Sequence, residues 1–180
     1  MFFPTRPAAM SSRLPPKPTA IIGAGFAGLS AARALVAAGQ PVQVFDQGRD
    51  PGGRSATRRA ERAQFDHGAQ YLEAHDPRFQ AQVETWRQQG VVAPWHGRFG
   101  VLRRGHWAIR SIDGPRYVGV PTMDAPARNL TLGLEVSYAT RIVALRRLRG
   151  GWRLQDEQDR VLGPFARVVL ALPAPRRCRC

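Results

Sequence analysis

The first ordered pattern along the chain begins at Thr19 with a short apolar run, Ala20–Ile22, closed by glycine. Beyond it, Leu29, Ala32, Leu35 and Val36 recur at helical spacing. A short continuous apolar run bounded by glycine reads as a buried strand, and the spacing over Gly28–Ala38, rich in strong helix formers, reads as a helix. Gly39 supplies the stop and Pro41 lies just beyond it, as expected where a helix ends. Val42, Val44 and Phe45 then form a second strand that ends at Asp46. Strand, helix and strand within about thirty residues make a βαβ unit, with parallel strands and a right-handed crossover.

Further along, Phe79, Val83 and Trp86 lie on one side of a predicted amphipathic helix, Pro77–Gln89, with Gly90 as its stop. Residues 91–110 read as short antiparallel strands with turns near Gly97 and Gly105. A short helix is expected from about Thr122, carrying Met123, Ala127 and Leu130. Val136–Leu145, Trp152–Gln155 and Arg167–Leu172 read as three strands joined by tight turns, the first at Gly150–Gly151. The fold class implied is α/β: a Rossmann-like βαβ domain with a β-meander, plus part of an α+β substrate domain. Residues 1–18, rich in Pro, Ser and Arg, read as a disordered lead-in, with Met10 an alternative start. The dinucleotide domain is expected over 19–72 and again over 135–173, interrupted by a partial substrate or lid domain over 73–134, with 174–180 as a tail.

Composition narrows the function classes. No stretch approaches the apolar length of a membrane span, and the N-terminal residues lack the continuous apolar core of a secretory signal. The two cysteines, Cys178 and Cys180, cannot supply a four-ligand zinc site, so no metal and a reducing, cytoplasmic setting are expected. The net charge of +14 invites a nucleic-acid reading. Against it, Lys17 is the only lysine, which points to coding bias, and the arginines are dispersed with no RNA-binding or helix-turn-helix signature. No specific nucleic-acid partner is expected, only non-specific adhesion to polyanions.

The chemistry lies at the strand–helix turn. Gly23, Gly25 and Gly28 match the GxGxxG pattern after a strand and before a helix, and Asp46 follows Gly28 by eighteen residues. Gly23 permits the tight turn, Gly25 lets the backbone approach a pyrophosphate, and Gly28 lets helix and strand pack closely. The helix N-terminus favours negative charge. Asp46 is placed to accept hydrogen bonds from the adenosine ribose, which disfavours a 2′-phosphate, although Arg49 lies nearby. A second glycine pair, Gly52–Gly53, precedes Arg54, whose guanidinium is suited to phosphate. Arg58 and Arg59 are expected to matter less.

The segments GAGFAGLSAARAL, FDQGRDPGGRSATRR and FDHGAQYLEAHDPRF together resemble bacterial renalase-like flavoproteins, within the amine-oxidase-like group of FAD enzymes. The resemblance runs from about Thr19 to Pro175, and YVGVPTMDAPARNL and ARVVLALPAP fit its order of segments. It implies FAD as the cofactor, with Ala27 and Arg54 on its phosphates and with Phe26, Gln47 and Gly53 also among the cofactor-binding residues. It also implies that Gln70–Tyr71 lies alongside the flavin and that a strand at Ala139–Ile142 passes the adenine, the Ala139 backbone making the contact. Ala171 and Leu172 would close the strand that returns near the cofactor. The implied chemistry is hydride transfer from a small dihydronicotinamide-type or amine substrate to FAD, with oxygen as acceptor and peroxide as product.

No catalytic residue stands out. His67, His75, His96 and His106 show no metal spacing, and Ser30, Asp66 and His67 form no triad. Two alternatives stay open: an NAD-binding Rossmann protein, and a non-catalytic product with incidental polyanion binding. The tail, RRCRC, follows Pro173 and Pro175 with the composition of a shifted reading frame. The resemblance therefore implies a chain truncated relative to its family, with low solubility, weak or absent FAD binding and negligible oxidase activity.

Overall fold

The computed structural model of the chain describes residues 16–97, 100–109 and 114–173. The expectations for the first fifteen lead-in residues, including Met10, and for the tail and its cysteines lie outside the described residues.

The βαβ unit consists of β1 (Thr19–Ile22), α1 (Phe26–Ala37) and β2 (Val42–Phe45). A one-turn 3₁₀ helix at Gly53–Ser55 leads to a hairpin, β3 (Thr57–Ala60) and β4 (Ala63–Asp66). There follow β5 (Leu72–Glu73), α2 (Pro77–Gln88), β6 (Val92–Pro94), β7 (Gly100–Arg103), β8 (His106–Ile109), β9 (Arg116–Gly119) and α3 (Ala125–Thr131). The chain ends in β10 (Glu135–Ser137), β11 (Ile142–Leu148), β12 (Gly151–Asp156), β13 (Val161–Phe165) and β14 (Arg167–Leu170).

A parallel sheet of order β10-β2-β1-β14 organises the molecule, which is an α/β protein. Side chains alternate across a strand, so β1 feeds two cores. Ile21 joins Leu29, Ala32, Val44, Val83, Trp86, Ala127 and Leu130 on the helical side. Ala20 and Ile22 join Phe45, Leu154 and Phe165 on the other, under the antiparallel sheet β11-β12-β13. Coverage on both faces explains why β1 is wholly buried and reads as a continuous apolar run. Segment 73–134 shares the helical-side core: the Trp86 indole N–H of α2 donates to Asn129 Oδ1 of α3 at 3.0 Å. Asp76 caps α2, its carboxylate accepting from the Arg78 N–H at 2.8 Å.

The last third departs from the sequence reading. The expected strand Val136–Leu145 is two strands, β10 in the parallel sheet and β11 in the meander. Between them Ala139 adopts φ +48°, and the N–H groups of Ala139 and Thr140 donate to Gly48 and Asp46 carbonyls instead of extending a ladder. The expected strand at Ala139–Ile142 is thus a turn, and β11 begins only at Ile142. β13 went unread because Gly163–Pro164 lies inside it; its edge position accommodates the proline. β14 pairs with β1 in parallel, so the meander is β11–β13 and does not extend to Leu172. β6 pairs with β9 and not with the strand that follows it.

Candidate dinucleotide-binding site

The ends of β1, β2 and β10 and the residues following β14 meet at one edge of the parallel sheet. These are carboxyl ends of parallel strands, where open α/β sheets bind ligands. Gly23 turns the chain from β1 into α1 with φ +113°, its N–H donating to the Phe45 carbonyl at 2.8 Å. A Cβ there would lie 2.6 Å from the Ala171 carbonyl oxygen. A Cβ on Gly28 would lie 1.9 Å from the Gly23 oxygen and 3.1 Å from Ala171 Cβ. Both glycines are therefore demanded by the packing of α1 on β1 and β14.

Gly25 is different. Its φ of −80° suits any residue, and a Cβ would meet only the Gly52 oxygen, at 4.0 Å. Neither backbone geometry nor packing requires a glycine here. What it leaves is open ground at the N-terminus of α1, where no side chain caps the helix and no acid occupies the first turn. The first N–H groups of a helix and its dipole favour an anion at such a place.

Asp46 follows β2, its carboxylate held by two backbone donors: Ala24 N–H to Oδ2 at 2.6 Å and Gly48 N–H to Oδ1 at 2.7 Å. Its own N–H donates to the Ser137 carbonyl at 3.0 Å, and Ala139 N–H donates to Gly48 at 2.8 Å. The turn after β10 is thereby bound to the loop after β2. Burial, with the Asp46 and Asp50 charges, pushes the Tyr138 phenol up, against a Thr131 hydrogen bond and the Arg128 charge, which pull it down.

The second glycine pair closes over the first. Gly52 bridges to Gly25 as in a parallel ladder, and its N–H donates to the Ala24 carbonyl at 2.9 Å. A Cβ on Gly53 would come within 3.3 Å of Gly25 Cα. Ser55 Oγ donates to the Gly52 carbonyl at 2.9 Å and fixes the turn that carries Arg54. The Arg54 side chain is exposed, while its carbonyl accepts from Ala69 N–H at 2.8 Å. That contact draws the Gln70–Tyr71 segment to the same place. It also requires Gly68, where a Cβ would lie 2.0 Å from the Arg54 oxygen.

The structure thus brings together Gly23, Gly25, Gly28, Asp46, Gly53, Ala139 and Ala171, with the Arg54 and Ala69 backbones alongside. Ala27 is exposed on the first turn of α1. The Phe26 ring turns away to the core, 6.1 Å from Trp86. Gln47, Arg54 and Gln70 are exposed, with no side-chain hydrogen bond among the described residues. Tyr71 is half-buried, its ring 5.8 Å from Trp95 and 4.2 Å from the Arg116 guanidinium. Gly48, Ser55 and Gly68 escaped the sequence reading; only Gly68, a glycine between His67 and Ala69, carried a local signal. The Arg59 guanidinium faces Asp124, at 2.9 Å, and not solvent alone. Among the described residues no group of three or more His, Cys, Asp or Glu could hold a metal, and no helix is long and apolar enough to cross a membrane.

Residues 21–86 match the family described as the NAD(P)-binding Rossmann-like domain. Solved structures from a structure-based redesign of cofactor binding in putrescine oxidase are similar in fold. They include a double mutant, a triple mutant and the wild type bound to putrescine, with TM-scores of 0.70, 0.70 and 0.69 at 14% identity. The likeness covers 91% of this chain and 59% of each of those chains. The chain therefore has a Rossmann-like α/β fold similar to that of these structures and spans 59% of their length.

Proposed function

We propose that the chain is the cofactor-binding part of a renalase-like, FAD-dependent oxidoreductase, and that the whole protein oxidises a dihydronicotinamide-type or amine substrate with oxygen as acceptor. The observation that supports the dinucleotide reading is Gly25, an N-cap glycine that no packing contact demands and that leaves open ground before α1. In this reading the N–H groups of Phe26 and Ala27 and the Arg54 guanidinium hold the pyrophosphate. Asp46, with Gln47 beside it, takes the adenosine ribose. The Ala139 backbone lies at the adenine, and Gln70–Tyr71 lies at the flavin side. Gly23, Gly28, Gly53 and Ala171 give the site its shape. FAD, when bound, supplies hydride acceptance and the reaction with oxygen. The chain's residues bind and orient it, and Asp46 is suited to this because two backbone N–H groups fix its carboxylate.

The putrescine oxidase likeness supports the amine arm, and the sequence resemblance supports the dihydronicotinamide arm. The domain division is part of the same proposal: 19–72 and 135–173 serve the cofactor, 73–134 the substrate. A second reading, NAD binding without flavin, is favoured by the family match over residues 21–86. Titration of the purified chain with FAD and with NAD separates the two, FAD being expected to bind and NAD to compete poorly. In the whole protein, anaerobic bleaching of bound flavin by an amine or by a dihydronicotinamide, and peroxide release on readmitting air, then selects the substrate class. Tighter binding of NAD than of FAD would overturn the flavin reading.

A further inference from the structure

Asp124 has a side chain with no solvent exposure and four donors. Arg59 reaches it with both terminal nitrogens, Nη1 to Oδ2 at 2.9 Å and Nη2 to Oδ1 at 3.1 Å. Thr122 Oγ1 donates to Oδ1 at 2.6 Å, and Arg128 Nε donates to Oδ2 at 2.9 Å. The carboxylate precedes α3 but makes no cap bond to it, so helix initiation does not account for it. Burying a carboxylate is costly, and an apolar side chain of similar size often serves stability as well.

The other end of Arg128 explains the arrangement. Its Nη2 donates to Asp50 Oδ1 at 2.7 Å, joining the buried Asp124 to the half-exposed Asp50, with Arg59 Nη1 a weaker second link at 4.0 Å from Asp50 Oδ2. Asp50 stands two residues before Gly52, the residue that bridges to Gly25. Asp66 ties the β3–β4 hairpin to the same corner, accepting from Thr57 Oγ1 at 2.6 Å and from Met123 N–H at 3.2 Å. The loop that closes over the open ground at Gly25 is thus anchored by charge to α3.

We propose that Arg128 and Asp124 are positioning residues for the dinucleotide: through Asp50 they hold the Asp50–Arg54 loop at the separation from α1 that a pyrophosphate needs. This rests on the dinucleotide reading above. Neither residue touches the cofactor in this scheme; each acts through the backbone at Gly52 and Gly53.

The test measures FAD affinity and unliganded thermal stability of the full chain for Arg128→Met, Arg128→Lys, Asp50→Ala and the double variant Arg128→Met/Asp50→Ala. Arg128→Met and Asp50→Ala should each weaken FAD by about tenfold or more, as expected for loss of a charge-assisted hydrogen bond. The double variant should lose little beyond either single one, because the two groups act as one unit. Arg128→Lys keeps the charge but loses the fork that spans two carboxylates, and it should not restore affinity. Unchanged affinity in both single variants, additive losses, or full rescue by lysine would each overturn the proposal. So would affinity losses matched by equal falls in unliganded stability, since those mark a purely structural role. Gly25→Val separates this from the underlying reading. If Gly25→Val binds FAD as well as the wild type does, or the wild type takes up none, the dinucleotide reading fails. If Gly25→Val alone loses FAD, only the positioning role fails.

Discussion

Gly28→Ala adds one methyl group where α1 crosses the turn after β1, and the structure fixes what that methyl meets. The new Cβ would lie 1.9 Å from the Gly23 oxygen and 3.1 Å from Ala171 Cβ. The first neighbour is backbone, so no side chain can swing aside. Restoring ordinary contact near 3.4 Å requires α1 to retreat by about 1.5 Å, opening the contacts of Leu29 and Ala32, both fully buried. Overpacking of this kind costs roughly 1–3 kcal/mol and more when backbone must move, against about 1 kcal/mol gained from alanine's helix propensity. Because the 1.9 Å contact is with backbone, the upper end of that cost applies, about 3 kcal/mol, and the net expectation is a loss of about 2 kcal/mol. Gly25→Ala is the control. Its Cβ meets nothing closer than 4.0 Å. The poorer N-cap costs about 0.5–1 kcal/mol and is offset by a comparable reduction in unfolded-state entropy. Urea denaturation followed by fluorescence of the buried Trp86 measures both. Gly28→Ala within about 0.5 kcal/mol of wild type, or Gly25→Ala falling as far as Gly28→Ala, would refute the division between packing and ligand glycines.

Three further outcomes follow from the charged groups. Arg54→Ala should weaken FAD by about 1.5–3 kcal/mol in a binding titration, with unliganded stability unchanged, because the side chain is exposed. Burial alone would raise the Asp124 carboxyl, but Arg59, Thr122 and Arg128 outweigh it and hold it at about 2. A depressed acid stabilises the fold above the ordinary carboxylate range, so about 2 kcal/mol should be lost as pH falls from about 4 towards 2. Asp124→Asn should flatten that acid limb of the stability profile. Arg59→Ala should destabilise by about 2 kcal/mol in the same denaturation assay, since it uncovers a buried carboxylate. Arg58→Ala, an exposed residue, should stay within about 0.5 kcal/mol.

The βαβ unit was legible because its signals are local: a short apolar run at Ala20–Ile22, a glycine-marked turn, a helical period and an acid at the next strand's end. The glycine pair before Arg54 was legible for the same reason. What escaped depends on contacts between distant residues. Nothing about Ala139 announces φ +48°; the turn is held by hydrogen bonds from Ala139 to Gly48 and from Thr140 to Asp46, residues far earlier in the chain. Hence one expected strand proved to be two. β14 looks like any apolar strand, and only its parallel register with β1 assigns it to the central sheet. Arg59 and Asp124 are separated by 65 residues, so no spacing rule could pair them. The glycine pattern itself assigned Gly28 to helix–strand packing and Gly25 to a ligand's approach; the contacts show Gly28 hemmed in by backbone and open space at Gly25.

The central claim is that the open ground before α1 is a pyrophosphate site, and FAD titration of Gly25→Val beside the wild type tests it most directly. Valine is tolerated by the φ of −80° at this position but fills the space in front of it. The account predicts saturable FAD uptake by the wild type, and uptake that falls sharply in a Gly25→Val chain retaining wild-type stability. Equal FAD affinity in the two proteins would contradict it.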